Sequence, residues 1–243
     1  MAGDLSRWVV ACALAETVGM TAAASAARYA DHLLQDRTAT TVGVSATVII
    51  VGGLMEGTAL GVAQGVVLRR AVPSVRFRLY VLVTVLVAGL GWAAGSLPSL
   101  SSTAATSSAS PAWWWMVLAG AGLGLAMGPW LGGAQALVLR RSVPRPGRWV
   151  LANTLAWPPA MAVLMVGASI PSATWSTPAV VAWAVPVGAL AGSVLGAVLG
   201  LRARSLTEPP TSSSTMSRRN TTDSRPSAPI RHRRDRDGTT RTW

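Results

Sequence analysis

Six apolar stretches, each long enough to cross a lipid bilayer, constrain the fold of this chain more than any other feature. A crossing takes about 20 residues, and polar residues fall between the stretches rather than along one face of each, unlike in the helices of soluble proteins. Only 12% of the residues are charged, whereas soluble domains carry about 25%. We therefore expect an all-α integral membrane domain with six transmembrane helices. The stretches are roughly Trp8–Ala27, Thr41–Leu68, Leu79–Leu97, Ala112–Leu139, Trp149–Ile170 and Pro178–Leu201.

The first stretch also has features of a secretory signal. Arg7 precedes an apolar run, and Ala24-Ser25-Ala26 resembles a cleavage site. However, Glu16 interrupts the apolar core, which is not typical of a signal. We interpret the stretch as a retained membrane helix, with cleavage as the alternative.

Arginine is concentrated in alternate connections between the stretches. The pairs Arg69-Arg70 and Arg140-Arg141 close the second and fourth stretches, whereas the connections 98–111 and 171–177 carry no charge. Because basic loops stay in the cytoplasm, the pattern predicts a multi-pass protein of the bacterial cytoplasmic membrane with both termini cytoplasmic. The four arginines are predicted to anchor this topology and to contact anionic lipid headgroups.

The segment 205–243 differs from the rest of the chain. It is basic and lacks apolar periodicity, so we expect a disordered cytoplasmic tail. Its arginine runs are suited to lipid headgroups or to nucleic acid. We favour a solvated tail with no specific nucleic-acid binding. The sequence is compatible with an oligomer and does not fix its size.

The chain contains an internal repeat with an offset of 71 residues. Residues 53–73 and 124–144 are identical at 13 of 21 positions, including Gln64 with Gln135 and a double arginine followed by Val-Pro. In the sixth stretch, Leu199 takes the place of the glutamine, so the third copy is degenerate.

The repeating unit is a pair of helices. Arginine opens each odd-numbered stretch, at Arg7, Arg78 and Arg148. Each unit crosses the membrane twice, so the three units are parallel and predict a pseudo-threefold bundle. The units span about 5–73, 76–144 and 147–204 of a membrane domain covering 1–204.

Small residues recur at every fourth position of the even-numbered stretches. Such residues share one side of a helix and allow close packing in membranes. We predict that the second, fourth and sixth helices are central and meet through these rows; a smooth wall along a narrow path is the alternative. The rows are Gly53, Gly57, Gly61 and Gly65; Gly124, Gly128, Gly132 and Ala136; and Gly188, Gly192, Gly196 and Gly200.

Two carboxylic residues fall inside the predicted membrane span. Glu56 lies about 20 Å from the arginine pair of its stretch, and Glu16 about 13 Å beyond the start of its own, at 1.5 Å per residue. Intramembrane carboxylates are costly and indicate a functional site by default. The alternative is that each is protonated and hydrogen bonds a neighbouring helix. Glu56 also breaks the repeat, because Met127 and Ala191 take its place in the other units.

Gln64, Gln135 and Asn153 complete the candidate polar site within the membrane. For the glutamines, hydrogen bonding between helices is favoured over contact with a substrate. Several tryptophans lie near predicted membrane boundaries, which predicts places in an aromatic belt. They are Trp8, Trp113, Trp114, Trp115, Trp149 and Trp175.

The sequence lacks the residues that several classes of function need. One cysteine and two histidines exclude an internal disulfide framework and a metal site built from several such ligands. Neither histidine lies in a pattern typical of nucleophilic catalysis. We therefore expect no cofactor, no metal and no enzymatic activity.

Three motifs of this chain resemble those of a protein family. They are G-x-A-Q-x-x-V-L-R-R, the Val-Pro that follows it, and the helix start R-W-V-L-A. They are similar to uncharacterised bacterial multi-pass membrane proteins of the actinobacterial type, which have no known activity. The resemblance covers about residues 5–200 and implies a membrane location without implying a chemistry.

Two functions remain open at this point. The first is a permease for a small solute or an ion, in which Glu16 and Glu56 bind a proton or a cation near the middle of the membrane. The alternative is a non-catalytic scaffold or assembly factor whose basic tail binds lipid or a cytoplasmic partner.

Overall fold

The computed structural model describes residues 2–101, 112–203 and 206, with side chains from 4 to 96, from 112 to 203 and at 206. The described residues form six α-helices and no strand, and each helix is long and apolar enough to span a membrane. The prediction of an all-α six-helix fold is confirmed. The helices are α1 (Ala2–Leu33), α2 (Ala39–Ala71), α3 (Phe77–Ser101), α4 (Trp113–Leu139), α5 (Gly147–Ser169) and α6 (Thr177–Ala203).

The boundaries differ from the sequence-based ones mainly at helix ends. α1 continues past Ala27 to Leu33, and α3 continues past Leu97 to Ser101. Ends are less apolar than helix centres, so hydropathy understates their length. The predicted tail, 205–243, lies outside the described residues apart from Leu206, which is buried in the main hydrophobic core.

The distribution of polar and apolar side chains is inverted relative to a soluble protein. Leu14, Leu90 and Trp130 are more than 60% exposed, whereas Gln64 and Asn153 are fully buried. An extensive exposed apolar surface requires a nonaqueous environment. Together with the six spans, it identifies the chain as a polytopic membrane protein.

The six helices form a closed ring in chain order. Each helix packs against its neighbours in sequence, and α6 closes the ring against α1. The closest pairs are α4 with α5 and α6 with α1, and the loosest is α3 with α4. The two arginine-rich connections, 72–76 and 140–146, lie at one end, where the Ser142 hydroxyl donates to the Ser74 carbonyl at 3.1 Å. We call this the arginine end.

The glycine rows do not bring the even-numbered helices together, which corrects the prediction that α2, α4 and α6 meet at the centre through these rows. No close backbone contact joins these three helices within their described residues. Each row instead faces the odd-numbered helix that follows it around the ring. A Cβ added to Gly57 would lie 3.1 Å from the Val85 Cα of α3, one at Gly124 2.6 Å from the Pro158 Cα of α5, and one at Gly196 2.8 Å from the Val9 Cα of α1.

The interior of the ring is filled by side chains from both sets of helices. Trp8, Tyr80 and Trp149 are buried near the arginine end, and the rings of the two tryptophans are 5.6 Å apart. The prediction that Trp8 and Trp149 belong to an aromatic belt is therefore wrong. Their distance from the helix ends resembles that of belt residues, but their side chains turn inward. Trp113, which is 71% exposed, faces outward.

Candidate functional site

The predicted polar residues separate into two clusters along the bundle. The first, which we call the carboxylate pair, consists of Glu16 and Glu56. The second, the glutamine cluster, lies closer to the arginine end and contains Gln64 and Gln135 together with hydrogen-bonded neighbours. Asn153 lies on α5 beside the second cluster.

Glu56 is held between α1 and α3. On the α1 side its side chain packs against Gly19, where an added Cβ would lie 2.5 Å from the Glu56 Cγ. On the α3 side Trp92 packs over Gly53, and its indole Nε1 donates to Glu56 Oε2 at 2.7 Å. Two glycines thus provide the space in which this carboxylate is buried and bonded.

Glu16 is buried beside Glu56 but has no hydrogen bonds of its own. Glu16 is 1% exposed, and neither oxygen of its carboxylate has a hydrogen-bond partner in the structure. The two acidic groups are close enough to interact electrostatically. On the other side, α6 approaches closely at Gly188, where an added Cβ would lie 2.5 Å from the Glu16 carbonyl oxygen.

Among the described residues, no basic side chain forms a salt bridge with the carboxylate pair. The salt bridges of the described helices join Arg7 to Asp4 and Arg28 to Asp31, and neither includes Glu16 or Glu56. Two ionised carboxylates side by side repel each other when no cation compensates them. The pair is therefore suited to hold a proton or a cation. Within the described residues no group of three or more acidic, cysteine or histidine side chains is placed to hold a metal ion.

The glutamine cluster connects four helices by direct hydrogen bonds. The Gln135 Nε2 donates to Gln64 Oε1 at 3.2 Å and to Thr84 Oγ1 at 2.9 Å. The Tyr80 hydroxyl donates to Gln64 Oε1 at 2.9 Å, and the Trp149 Nε1 donates to Gln135 Oε1 at 2.8 Å. The predicted hydrogen bond between the two glutamines is present, and the cluster is a structural connection across the ring.

The third repeat has no counterpart of the two glutamines. Gln64 Nε2 is buried without a hydrogen-bond partner, and the third unit supplies the apolar Leu199 where the other two supply glutamine. Asn153 does not join the glutamines directly. It donates to the Trp149 carbonyl at 3.0 Å and accepts from the Trp157 Nε1 at 3.2 Å. Its hydrogen bonds therefore lie along α5.

A cavity opens at the end of the bundle opposite the arginine end, and its inner wall adjoins the carboxylate pair. Its volume is about 270 Å³. Its lining includes Met20, Arg28 and Asp31 of α1, Trp92 of α3, and Trp183 and Val187 of α6. Trp92 therefore both lines the cavity and donates to Glu56. Met20 lies one turn beyond Glu16 on α1.

Sequence reasoning missed Gly19 and Trp92. Gly19 follows Glu16 by three residues and so shares its helix face, which was the available signal. Trp92 carried no signal that linked it to Glu56, because that contact depends on the packing of α3 against α2.

Comparisons with known proteins give no identification of this chain. No family model matches it, and no curated protein or solved structure matches it significantly.

Proposed function

We propose that this protein is a permease for a small solute or an ion, in which Glu16 and Glu56 bind the transported or coupled proton or cation. The observation that carries this proposal is that both carboxylate oxygens of Glu16 are buried without a hydrogen-bond partner. Buried polar groups retained for stability are nearly always bonded, and an unpartnered carboxylate in a membrane protein is by default functional.

The position of the pair along the bundle supports this proposal. The cavity at one end reaches Trp92, which contacts Glu56. Toward the arginine end, the glutamine cluster and the aromatic side chains of Trp8, Tyr80 and Trp149 fill the interior. In this arrangement the pair is approached from one end and closed from the other, as one state of an alternating-access cycle requires.

The test is ion flux in proteoliposomes that contain the purified full-length chain. An entrapped pH-sensitive dye reports proton entry under an imposed membrane potential, and parallel vesicles report sodium and potassium entry. We expect Glu16→Gln and Glu56→Gln each to abolish the flux. The matched control is Asp4→Asn, which removes an exposed carboxylate from α1. Wild-type flux in Glu56→Gln vesicles contradicts the permease. So does the absence of flux from wild-type vesicles both without and with a small organic anion outside.

A scaffold is the second candidate, and the close glycine contacts and the bonded glutamine cluster favour it because both make the bundle rigid. It requires partners that co-purify with the full chain and are lost when residues 205–243 are deleted. It also requires that Glu16→Gln and Glu56→Gln leave those partners in place.

The arginine end is proposed to face the cytoplasm. There Arg69, Arg70, Arg140 and Arg141 are exposed at the ends of α2 and α4. Their positions suit contact with anionic lipid headgroups.

A further inference from the structure

We propose that the cavity binds a small organic anion with an apolar body, and that this anion is taken up together with a proton on the carboxylate pair. The inference rests on the proposed function, since it names the solute that the pair accompanies. Three features of the structure carry it: an arginine in the cavity wall, a lining that is apolar apart from this arginine and the exposed Asp31, and a wall residue bonded to Glu56.

Arg28 supplies the positive charge. Its Nη2 donates to the Trp175 carbonyl at 2.6 Å, while its Nε is buried without a partner. Its Nη1 lies 4.0 Å from Asp31, whose side chain is 68% exposed. A backbone carbonyl is neutral and an exposed carboxylate is screened by water, so much of the guanidinium charge remains available. A guanidinium with an unused donor is well suited to a carboxylate or a phosphate.

Asp31 also lines the cavity, on its exposed side, and the rest of the named wall is apolar. Met20, Ala184 and Val187 contribute aliphatic surface. The Trp183 Nε1 already donates to the Gly167 carbonyl at 2.9 Å and that of Trp92 to Glu56, so both indoles add mainly apolar surface. At about 270 Å³, the cavity is smaller than the roughly 300–1,000 Å³ typical of drug-sized ligands. It therefore fits a compact apolar or aromatic body with one anionic group.

The charges around the pair favour uptake of the anion with a proton. At the level of Glu16, α2 contributes Glu56 and α3 the indole N–H of Trp92. The charged residues of α3, α5 and α6 (Arg78, Arg148 and Arg202) lie at the arginine end, and α4 has none.

An anion bound at Arg28 thus adds negative charge to the side of the bundle that already holds two carboxylic groups. It favours their protonated form, and by linkage the protonated pair favours the anion. Arg28 is about 18 Å from Glu16 along α1, at 1.5 Å per residue. At an effective dielectric constant of about 20, one charge at that distance changes the affinity about five-fold.

The experiment is calorimetric titration of the full-length chain in nanodiscs of neutral lipid, with benzoate as the probe and uncharged benzamide as its control. We expect benzoate to bind and benzamide not to bind. Arg28→Gln weakens benzoate binding by about 10- to 100-fold, the effect of removing charge-assisted hydrogen bonds. Arg7→Gln, the same change at the other end of α1, leaves it unaltered. Ala24 of α1 also lines the cavity, and Ala24→Leu, which places a larger side chain there, abolishes binding without removing a charge.

Proton coupling gives a separate readout. On acidification, within the pH range where benzoate stays ionised, we expect the affinity for benzoate to rise about five-fold. The double variant Glu16→Gln/Glu56→Gln is expected to lose this rise. The proposal is overturned if benzamide binds as tightly as benzoate, or if the Arg28→Gln variant binds benzoate as tightly as the wild type. If the site is instead occupied only when phosphatidylglycerol is added to the discs, it is a lipid-headgroup site and the soluble anion is excluded.

The two proposals fail separately. Benzoate binding that depends on Arg28, in a protein whose vesicles show no flux even with benzoate outside, supports the anion site but contradicts the permease and the coupled uptake. Flux that depends on Glu56 without benzoate binding overturns the anion site alone.

Discussion

Gln135 donates from Nε2 to Oε1 of Gln64 at 3.2 Å, although the two residues lie 71 positions apart. That separation equals the offset of the repeat, so equivalent residues of two units contact each other across the interior. Oε1 of Gln64 also accepts from the Tyr80 hydroxyl. Two donors on one oxygen fix the orientation of this amide.

The first prediction concerns this pair of glutamines. Gln135→Leu, which copies the apolar residue of the third unit, removes three hydrogen bonds and leaves the Trp149 Nε1 buried without a partner. We expect a loss of about 1–3 kcal/mol in the free energy of unfolding. A double-mutant cycle with Gln64→Leu, measured by denaturation in mixed micelles, is expected to give a coupling energy of about 0.6–1.7 kcal/mol. If the two substitutions change the free energy of unfolding in a strictly additive way, a direct hydrogen bond between Gln64 and Gln135 is contradicted.

The second prediction uses two glycines of α4 that lie two residues apart. A Cβ at Gly124 would lie 2.5 Å from the Trp157 carbonyl oxygen, whereas one at Gly122 meets no atom within 4 Å. Gly124→Ala is expected to destabilise the bundle by about 1–3 kcal/mol, as overpacking does. Gly122→Ala is expected to be neutral or to stabilise it by up to about 1 kcal/mol. If the two substitutions change the free energy of unfolding equally in the same denaturation assay, the glycine row of α4 does not set the distance between α4 and α5.

The third prediction concerns orientation. Cys12 is fully buried and is the only cysteine of the chain, so the unmodified protein gives a low background with a thiol reagent. With a membrane-impermeant maleimide on intact cells, Ala173→Cys is expected to react at once. Ser74→Cys, at the arginine end, is expected to react only after the membrane is permeabilised. The reverse pattern contradicts cytoplasmic placement of the arginine end.

The sequence predicts the number and type of helices because hydropathy and length decide them. It also predicts the close approach of the glycine rows to a neighbouring helix. It does not predict which helix, because residues at a spacing of four define a face without defining its partner. The rows face α3, α5 and α1, so the even-numbered helices contact one another through longer side chains such as Gln64 and Gln135.

The register of the odd-numbered helices shows a second limit. Alignment on the opening arginines pairs Trp8 and Trp149 with Leu79, yet the buried aromatic residue of α3 is Tyr80. The glycine contacts explain the shift, since the residues that face the rows are Val9, Val81 and Val150. A one-residue offset between helix start and helix face is set by three-dimensional packing.

For the candidate site, the sequence predicts that two carboxylic groups share a level, because their distances from the helix starts are countable. The sequence alone gives neither the hydrogen bond of Trp92 to Glu56 nor the absence of partners for Glu16. These differences separate the two buried groups, since the Glu56 carboxylate is hydrogen-bonded and the Glu16 carboxylate is not.

The most direct test of the account is to measure stability and flux together on Glu16→Met, which replaces the unpartnered carboxylate with an apolar side chain of similar shape. Because the oxygens of Glu16 make no hydrogen bonds, we expect unfolding to become harder by about 1–3 kcal/mol while flux is lost. Glu56→Met serves as the comparison and is expected to destabilise the protein, since the Trp92 Nε1 loses its acceptor. A Glu16→Met protein that is less stable than wild type, or equally active, contradicts the account.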